Sequence, residues 1–170
     1  MGTILRPVPL NAQHDVSDFA NGKHPELDLW LKERALPSEG LSARCYVICT
    51  KDAPCKVIGY YALSTAMAER LALPSAKLRR GMPERVPLLL IGRLAIDASM
   101  QGHGYGADLL SDAVRRCCTA AEIVAARAII THAIDEAAVQ FYAHHGFRRS
   151  LFGERLMVLP IEDVKLGILG

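Results

Sequence analysis

The stretch Arg93-Leu-Ala-Ile-Asp97, followed by Gln101-Gly102-His103-Gly104-Tyr105-Gly106, decides how the rest of the chain is read. The apolar run 88–96 predicts a strand, and it feeds a loop with glycines at alternate positions. The loop in turn opens an amphipathic segment over residues 107–121. Glycines allow successive backbone N–H groups to converge on one concavity, and a helix start adds unpaired donors with partial positive charge. A loop of this kind is a site for a pyrophosphate. Spacing excludes two common phosphate loops. A Walker loop needs lysine and Ser/Thr after its last glycine, where this chain has Ala107-Asp108. A dinucleotide site needs G-x-G-x-x-G and an acidic residue closing the next strand. Here the spacing is G-x-G-x-G, and the run 128–131 closes on Thr131-His132.

Downstream, Asp135-Glu-Ala-Ala-Val-Gln-Phe-Tyr142 reads as a helix with an acidic start, stopped by His145-Gly146. The pattern Q-x-x-G-x-G after an apolar strand, with Phe141-Tyr142-Ala-His-His-Gly146-Phe147 beyond it, resembles two signature segments of the GCN5-related N-acetyltransferases (GNAT). A narrower resemblance runs along nearly the whole chain. Phe19-Ala-Asn-Gly22, Leu27-Asp-Leu-Trp-Leu-Lys32, Ala35-Leu36 and Arg44-Cys-Tyr-Val47 come first. Val57-Ile-Gly-Tyr-Tyr-Ala-Leu63, Arg85-Val-Pro87, Gly92-Arg-Leu-Ala95 and Leu110-Ser-Asp-Ala113 follow in order. Together they resemble the acetyltransferase toxins of bacterial type II toxin–antitoxin modules.

That resemblance implies an α/β (α+β) GNAT fold: a mixed central sheet flanked by helices, with a central strand that splays from its neighbour to form the acetyl-CoA cleft. It implies acetyl-CoA as co-substrate, held at Leu94, Ala95, Ile96, Gln101, Gly102, His103, Gly104, Tyr105 and Gly106, with no metal. It puts Tyr142 at the coenzyme sulfur. The implied acceptor is the α-amine of aminoacyl-tRNA, whose acetylation blocks translation. The implied partners are aminoacyl-tRNA and a cognate antitoxin of ribbon-helix-helix type; a homodimer stays open. His103 departs from the branch pattern, which commonly carries arginine or lysine there. A neutral imidazole would hold a pyrophosphate less strongly, whereas the backbone N–H groups are independent of side-chain identity.

At 170 residues and about half apolar, the chain fits one compact domain over residues 1–170. No stretch approaches the roughly 18 apolar residues of a membrane span, and the start carries neither a signal-peptide nor a myristoylation pattern. A cytoplasmic protein without a membrane partner is expected. Cys45, Cys49, Cys55, Cys117 and Cys118 lie in apolar periodic segments at spacings unsuited to zinc, and they read as buried thiols in a reducing compartment. Strands are expected over 3–9, 44–50, 56–65, 87–96, 127–132 and 154–159, and helices over 26–36, 74–80, 104–125 and 135–144. In the long helix, Leu110, Ala113, Val114, Cys117 and Ala121 recur at helical spacing and predict its sheet-facing side. Mixed strands and helices with a helical crossover after the central strand predict a mixed sheet flanked by helices.

The formal balance of +2 does not itself point to nucleic acid. Its distribution matters more. Between Arg70 and Arg93 lie Lys77, Arg79, Arg80 and Arg85, against Glu84 as the sole acid. These side chains read either as a solvated face or, beside the acceptor cleft that the resemblance implies, as a grip on tRNA phosphates. Arg93 interrupts an apolar strand, so it must be paired or face a cleft. An ion pair with Asp97 or Asp108 and a substrate-binding role both fit. His24, His132, His144 and His145 are scattered and form no H-x-x-x-H metal pair.

Acetyl transfer to an amine needs a neutral nucleophile, a stabilised carbonyl oxygen and a proton for the leaving thiolate. Residues 88–96 offer no carboxylate as base. Neutralising a lysine amine at pH 7.5 costs about 4 kcal/mol, against roughly 0.3–0.7 kcal/mol for an α-amine. A base-poor strand therefore suits an α-amine. Backbone N–H near Ala95 or Ile96 is expected to hold the thioester carbonyl, and Tyr142 to donate its phenolic proton to sulfur. An acetyl-cysteine route through Cys117 or Cys118 has less support, because they fall on or beside the sheet-facing side of the helix. Two other functions remain open on these residues: acetylation of a small-molecule or peptide amine, and non-catalytic coenzyme A binding in an interaction module.

Overall fold

The computed structural model describes residues 3–167. Its strands follow the order β1-β2-β3-β4-β5-β7-β6 in one seven-stranded sheet. The chain divides into two compact units, residues 1–64 with 92–113 and residues 65–91 with 114–170.

In the first unit, β1 (Val8–Pro9) pairs antiparallel with β2 (Arg44–Ile48) through Val8↔Val47 and Pro9↔Tyr46. The expected strand over 3–9 shrinks to these two residues plus a bridge from Ile4 to Thr50. Pro7 and Pro9 explain this, since neither can donate to a ladder, and proline is tolerated only at a sheet edge. Antiparallel pairing continues from β2 to β3 (Gly59–Glu69), in the register Cys45↔Ala62 and Ile48↔Gly59. The expected helix over 26–36 is present as α1 (Pro25–Leu29), a π-helical turn (Trp30–Arg34) and α2 (Ala35–Ser38). Asn21, buried before that helix, accepts from the Lys23 and His24 N–H groups and donates to Asp28 and the His24 carbonyl. Leu31 and Ala35 then join Phe19, Cys45, Val47, Tyr60 and Ala95 in one apolar cluster. The Tyr60 hydroxyl inside it donates to the Leu27 carbonyl at 2.7 Å, so its burial leaves no polar atom stranded.

In the second unit, β5 (Ala128–His132) runs parallel to β4 (Arg85–Ile96) through Leu89↔Ile129 and Leu90↔Ile130. On its other side β5 pairs antiparallel with β7 (Leu156–Pro160), which also pairs with the two-residue β6 (Arg148–Arg149). A short α3 (Ala76–Arg79), capped by the Ser75 hydroxyl, lies between β3 and β4 in sequence. Its Leu78 packs with Leu73, Val86, Leu88, Ala128, Ile130 and Val158. The remaining helices are α5 (Glu136–His144) and α6 (Ile161–Gly167). Neither α6 nor β6 was expected: β6 is too short to show alternation, and α6 continues directly from an apolar strand.

The parallel β4–β5 pair requires a crossover, and α4 (Tyr105–Ile123) supplies it. Leu110, Ala113, Val114 and Cys117 of α4 are buried as their spacing predicts, together with Leu109; Ala121 is only half-buried. The expectation of five buried thiols is corrected at two positions. Cys55 sits exposed in a turn before β3 and Cys118 is half-buried, one step round the helix from buried Cys117.

Gly59 opens β3 where a Cβ would come within 2.8 Å of Ile96 Cδ1 and 3.0 Å of Ile48 Cδ1. Gly59→Ala should therefore overpack this corner and destabilise the protein by about 1–3 kcal/mol. Thermal unfolding should read this as a fall in Tm of roughly 2–10 °C; an unchanged Tm would show that the isoleucines reorient freely.

Candidate functional site

The glycine loop belongs to the first unit, and its shape is set by what precedes it. At the exit of β4 the Asp97 N–H donates to the Ile58 carbonyl at 2.8 Å. The Asp97 carboxylate accepts the Ala20 N–H at 2.9 Å and the Ser99 N–H at 3.1 Å, and also the Ser99 hydroxyl. Burial pushes the Asp97 carboxyl upward, but the Ser99 and Ala20 hydrogen bonds outweigh it and hold the group below the usual carboxylate range. A 3-10 turn (Ala98–Met100) leads to Gln101, whose Nε2 donates to the Asn21 carbonyl at 2.8 Å and the Ile96 carbonyl at 2.9 Å. The Gln101 amide is thus occupied in pinning the loop.

Gly102 and Gly104 both lie in the left-handed region, with φ of +83° and +81°, and a Cβ at either would meet nothing within 4 Å. They face open space, which is what a bound anion would need. The α4 helix begins directly after them, and the Asp108 N–H returns to the Gly104 carbonyl at 3.2 Å. The N–H groups of Tyr105, Gly106 and Ala107 precede that bond and are those a helix leaves without an intrahelical acceptor. His103 is exposed, its ring 5.6 Å from that of Tyr105. Upstream, Ala95 is buried in the first unit's core, and Leu94 and Ile96 are half-buried.

Arg93 also belongs to this unit. Its guanidinium stands 4.6 Å from the centroid of the Trp30 ring, and that ring stacks on Tyr60 at 5.9 Å. An aromatic face, rather than a carboxylate, meets the guanidinium, and Asp97, one of the two carboxylates the sequence offered it, is engaged by Ala20 and Ser99. Nothing in the sequence gave Trp30 a role of its own, although it stands in the segment Leu27-Asp-Leu-Trp-Leu-Lys32 that carries the resemblance.

Tyr142 lies in the second unit, 6% exposed on α5. Asp135 caps this helix by accepting the Ala138 N–H at 2.7 Å. At the other end Gly146, with φ of +95°, turns the chain so that the Phe147 N–H returns to the Tyr142 carbonyl at 3.1 Å. The Phe147 ring then meets Tyr142 edge-on at 5.4 Å. Burial pushes the phenol pKa upward, with the Thr131 hydroxyl acting against that push. Thr131 in turn donates to the Ile91 carbonyl at 2.8 Å. Cys117 has its thiol pushed up to about 12, by burial first and then by Cys118, which makes it a poor nucleophile.

The basic segment falls into two kinds of residue. Arg79 donates to the Leu73 carbonyl at 2.7 Å and so braces the turn around α3. Lys77, Arg80 and Arg85 are exposed. Arg85 helps to line a groove of about 760 Å³ with Met67, Pro87, Leu89, Ile123 and Val124. No group of three metal-capable side chains occurs among the described residues, and no helix among them is long and apolar enough to cross a membrane.

Known proteins resemble this chain in sequence and fold. The Acetyltransferase (GNAT) domain family matches residues 42–149. A tRNA-acetylating toxin of Mycobacterium tuberculosis is 37% identical over 166 residues, covering 97% of each chain. The structure of AtaT complexed with acetyl-methionyl-tRNAfMet aligns with a TM-score of 0.87 at 30% identity, covering 96% of this chain and 97% of that one. The structure of AtaTR bound with AcCoA aligns at 0.80 and 32% identity, covering 96% of each.

The Asp97 linkage has a definite sign. A carboxyl depressed in the folded state contributes stability that is present above the unfolded value of about 3.9 and is lost as pH falls through the folded value. Asp97→Asn should therefore flatten the acid arm of the stability curve below about pH 4, leaving its neutral portion parallel to wild type. Matching acid arms in the two proteins would show that the Ala20 and Ser99 contacts do not favour the charged form.

Proposed function

We propose that this chain, which belongs to the GCN5-related N-acetyltransferase family, transfers the acetyl group of acetyl-CoA to the α-amine of aminoacyl-tRNA and acts as a toxin that blocks translation. The observation that carries the transferase reading is the pair of open, left-handed glycines before a 19-residue helix. Their N–H groups suit a pyrophosphate, independent of the histidine between them. The acceptor reading is supported by a near full-length relative that is a tRNA-acetylating toxin and by the lack of a carboxylate over residues 88–96.

In this reading the chain works as one acetyltransferase domain and requires no metal. Gln101, through its two carbonyl contacts, keeps Gly102 to Gly106 in the shape that receives the pyrophosphate. Backbone groups at Leu94, Ala95 and Ile96 align the thioester arm. Tyr142 keeps its proton at neutral pH, because burial raises its pKa, and gives it to the departing sulfur. Lys77, Arg80 and Arg85 take tRNA phosphates, while Arg79 shapes their turn. Arg93, over the Trp30 ring, supports the acceptor side. A ribbon-helix-helix-type antitoxin neutralises the toxin in the cytoplasm. Homodimerisation belongs to the same proposal and is read out by mass in solution.

Incubation with acetyl-CoA and charged tRNA should yield N-acetylaminoacyl-tRNA. Tyr142→Phe should lower turnover by about 10²–10⁴-fold with near-normal stability. Gly104→Asp should abolish the stabilisation that acetyl-CoA confers on the wild type. Acetylation of free amines with no reaction on charged tRNA would instead favour a metabolite acetyltransferase.

Replacing Lys77 and Arg80 together by alanine should raise the KM for charged tRNA several-fold and leave coenzyme affinity unchanged. The salt slope of tRNA binding should fall by about one unit for every phosphate that is no longer neutralised. Identical slopes in mutant and wild type would return these residues to a solvated face.

A further inference from the structure

Arg93 and Trp30 meet in the first unit through a contact that uses only part of the arginine's chemistry. Arg93 shares a strand face with Ala95, which is buried in the apolar cluster that Tyr60 and Leu31 join and Trp30 packs against. The guanidinium lies over the Trp30 ring, 4.6 Å from its centroid. Trp30 is held in turn. Its ring stacks on that of Tyr60 at 5.9 Å and 11°, and its N–H and the Tyr60 hydroxyl both donate to the Leu27 carbonyl. The helix widens there into the π-helical turn Trp30–Arg34, a device frequent at functional sites.

A ring face attracts a cation but offers no lone pair to its N–H groups. Among the described residues the Arg93 side chain makes no hydrogen bond and no ion pair. The donors of a half-buried guanidinium are therefore unspent. Methionine or leucine would fill the space over the tryptophan without desolvating a charge. A planar fork whose position is fixed by an aromatic face and whose donors are open suits the oxygens of a phosphate. The coenzyme pyrophosphate has its own donors at the glycine loop, and Arg93 precedes the end of β4 by three residues, roughly 10 Å of strand. Ala95, whose backbone aligns the thioester in the proposed reading, is only roughly 7 Å along the strand. On an aminoacyl-tRNA the anionic group nearest the reacting amine is the phosphate on the 5′ oxygen of the terminal nucleoside.

We propose that Arg93 and Trp30 form a receptor for the phosphate that joins the acceptor's terminal nucleoside to the rest of the RNA. Arg93 is its binding residue, and Trp30 is the positioning residue behind it. This rests on the reading of the acceptor as aminoacyl-tRNA. The pair selects the carrier at its reactive end: a free amino acid or its simple ester brings no phosphate, and the fork then has nothing to grip. Trp30 touches no substrate. It fixes the guanidinium in place, so that less ordering is lost when the phosphate arrives. A lysine at position 93 would keep the charge and lose the fork.

The test uses the full-length enzyme and two short acceptors that differ by one phosphate: the 3′-aminoacyl ester of adenosine and the same ester of adenosine 5′-monophosphate. In the wild type the phosphate should raise kcat/KM by about 10–100-fold, the scale of hydrogen bonds to a charged group. Arg93→Gln should bring that ratio to within about twofold of unity. Trp30→Leu should lower it by roughly 2–30-fold, the span of a cation–π contact, and Trp30→Phe should recover most of it. A wild-type ratio near unity would overturn the proposal. So would a ratio left intact by Arg93→Gln or Trp30→Leu while both acceptors slow equally, which marks a purely structural pair. A second measurement needs no turnover, because Trp30 is the chain's sole tryptophan. With coenzyme A at saturation to fill its own site, adenosine 5′-monophosphate should change the Trp30 emission where adenosine does not, and Arg93→Gln should abolish the response. Equal responses to the two compounds, or none, would overturn the proposal too. A loss in Arg93→Gln that appears with acetyl-CoA and vanishes with acetyl-dephospho-CoA would assign the anion to the coenzyme and overturn it as well. A phosphate-dependent response without turnover of charged tRNA would keep the receptor and remove the toxin reading.

Discussion

The Asp97 carboxylate is the contact on which the first unit's site depends. In the proposed reading the loop presents backbone N–H groups, and such a loop cannot satisfy itself, because every donor turned inward is withdrawn from the ligand. Its shape must be imposed from outside. Asp97 does this by holding the Ala20 and Ser99 N–H groups at 2.9 and 3.1 Å. Gln101 completes the clamp by spanning the Asn21 and Ile96 carbonyls. These polar contacts tie the end of β4 to residues about 80 positions earlier in the chain, and Asn21 is itself locked by His24 and Asp28. With the flanks fixed, Gly102 and Gly104 can occupy left-handed backbone conformations over open space at little steric cost.

The second unit meets a different constraint. In the proposed reading Tyr142 is a general acid toward a thiolate, which should be protonated at neutral pH, as burial favours, and should also be able to lose its proton, which burial opposes. Tyr142 is packed between Phe141 and Phe147, with ring centroids 5.2 and 5.4 Å away. These apolar rings favour the neutral phenol.

Much of this was legible in sequence because it is local. The alternate glycines, the helix start after them, the Asp135 cap and the Gly146 stop each follow from residues a few positions apart. The buried stripe of α4 follows from its period. Contacts between distant segments were not legible. For Arg93 the sequence offered a carboxylate partner or a role in the site, since charge is what a sequence displays, and the guanidinium found the face of Trp30, far earlier in the chain, at 4.6 Å. Arg79 and Lys77 look alike in a charge count, yet one braces the Leu73 carbonyl and the other is exposed. Thr131 carries no motif at all, and the Ile91 carbonyl that takes its proton at 2.8 Å is met only where β5 lies beside β4.

The absence of a carboxylate over residues 88–96 links the site to its acceptor. In the proposed reading, a strand that supplies no base favours amines already neutral in an appreciable fraction at cellular pH. An α-amine with a pKa of about 7.7–8.0 qualifies, and a lysine amine near 10.4 does not. Esterification of the neighbouring carboxyl withdraws electrons and lowers the α-amine pKa further, so an aminoacyl ester is favoured by the same logic. The strand thereby contributes to specificity through what it lacks. Placing a glutamate there would supply the missing base and weaken the discrimination against side-chain amines, while the exposed cations Lys77, Arg80 and Arg85 would still favour a polyanionic carrier. In the proposed reading, amine selection thus rests on proton affinity at the strand, and carrier selection on the phosphate charge met by Lys77, Arg80 and Arg85.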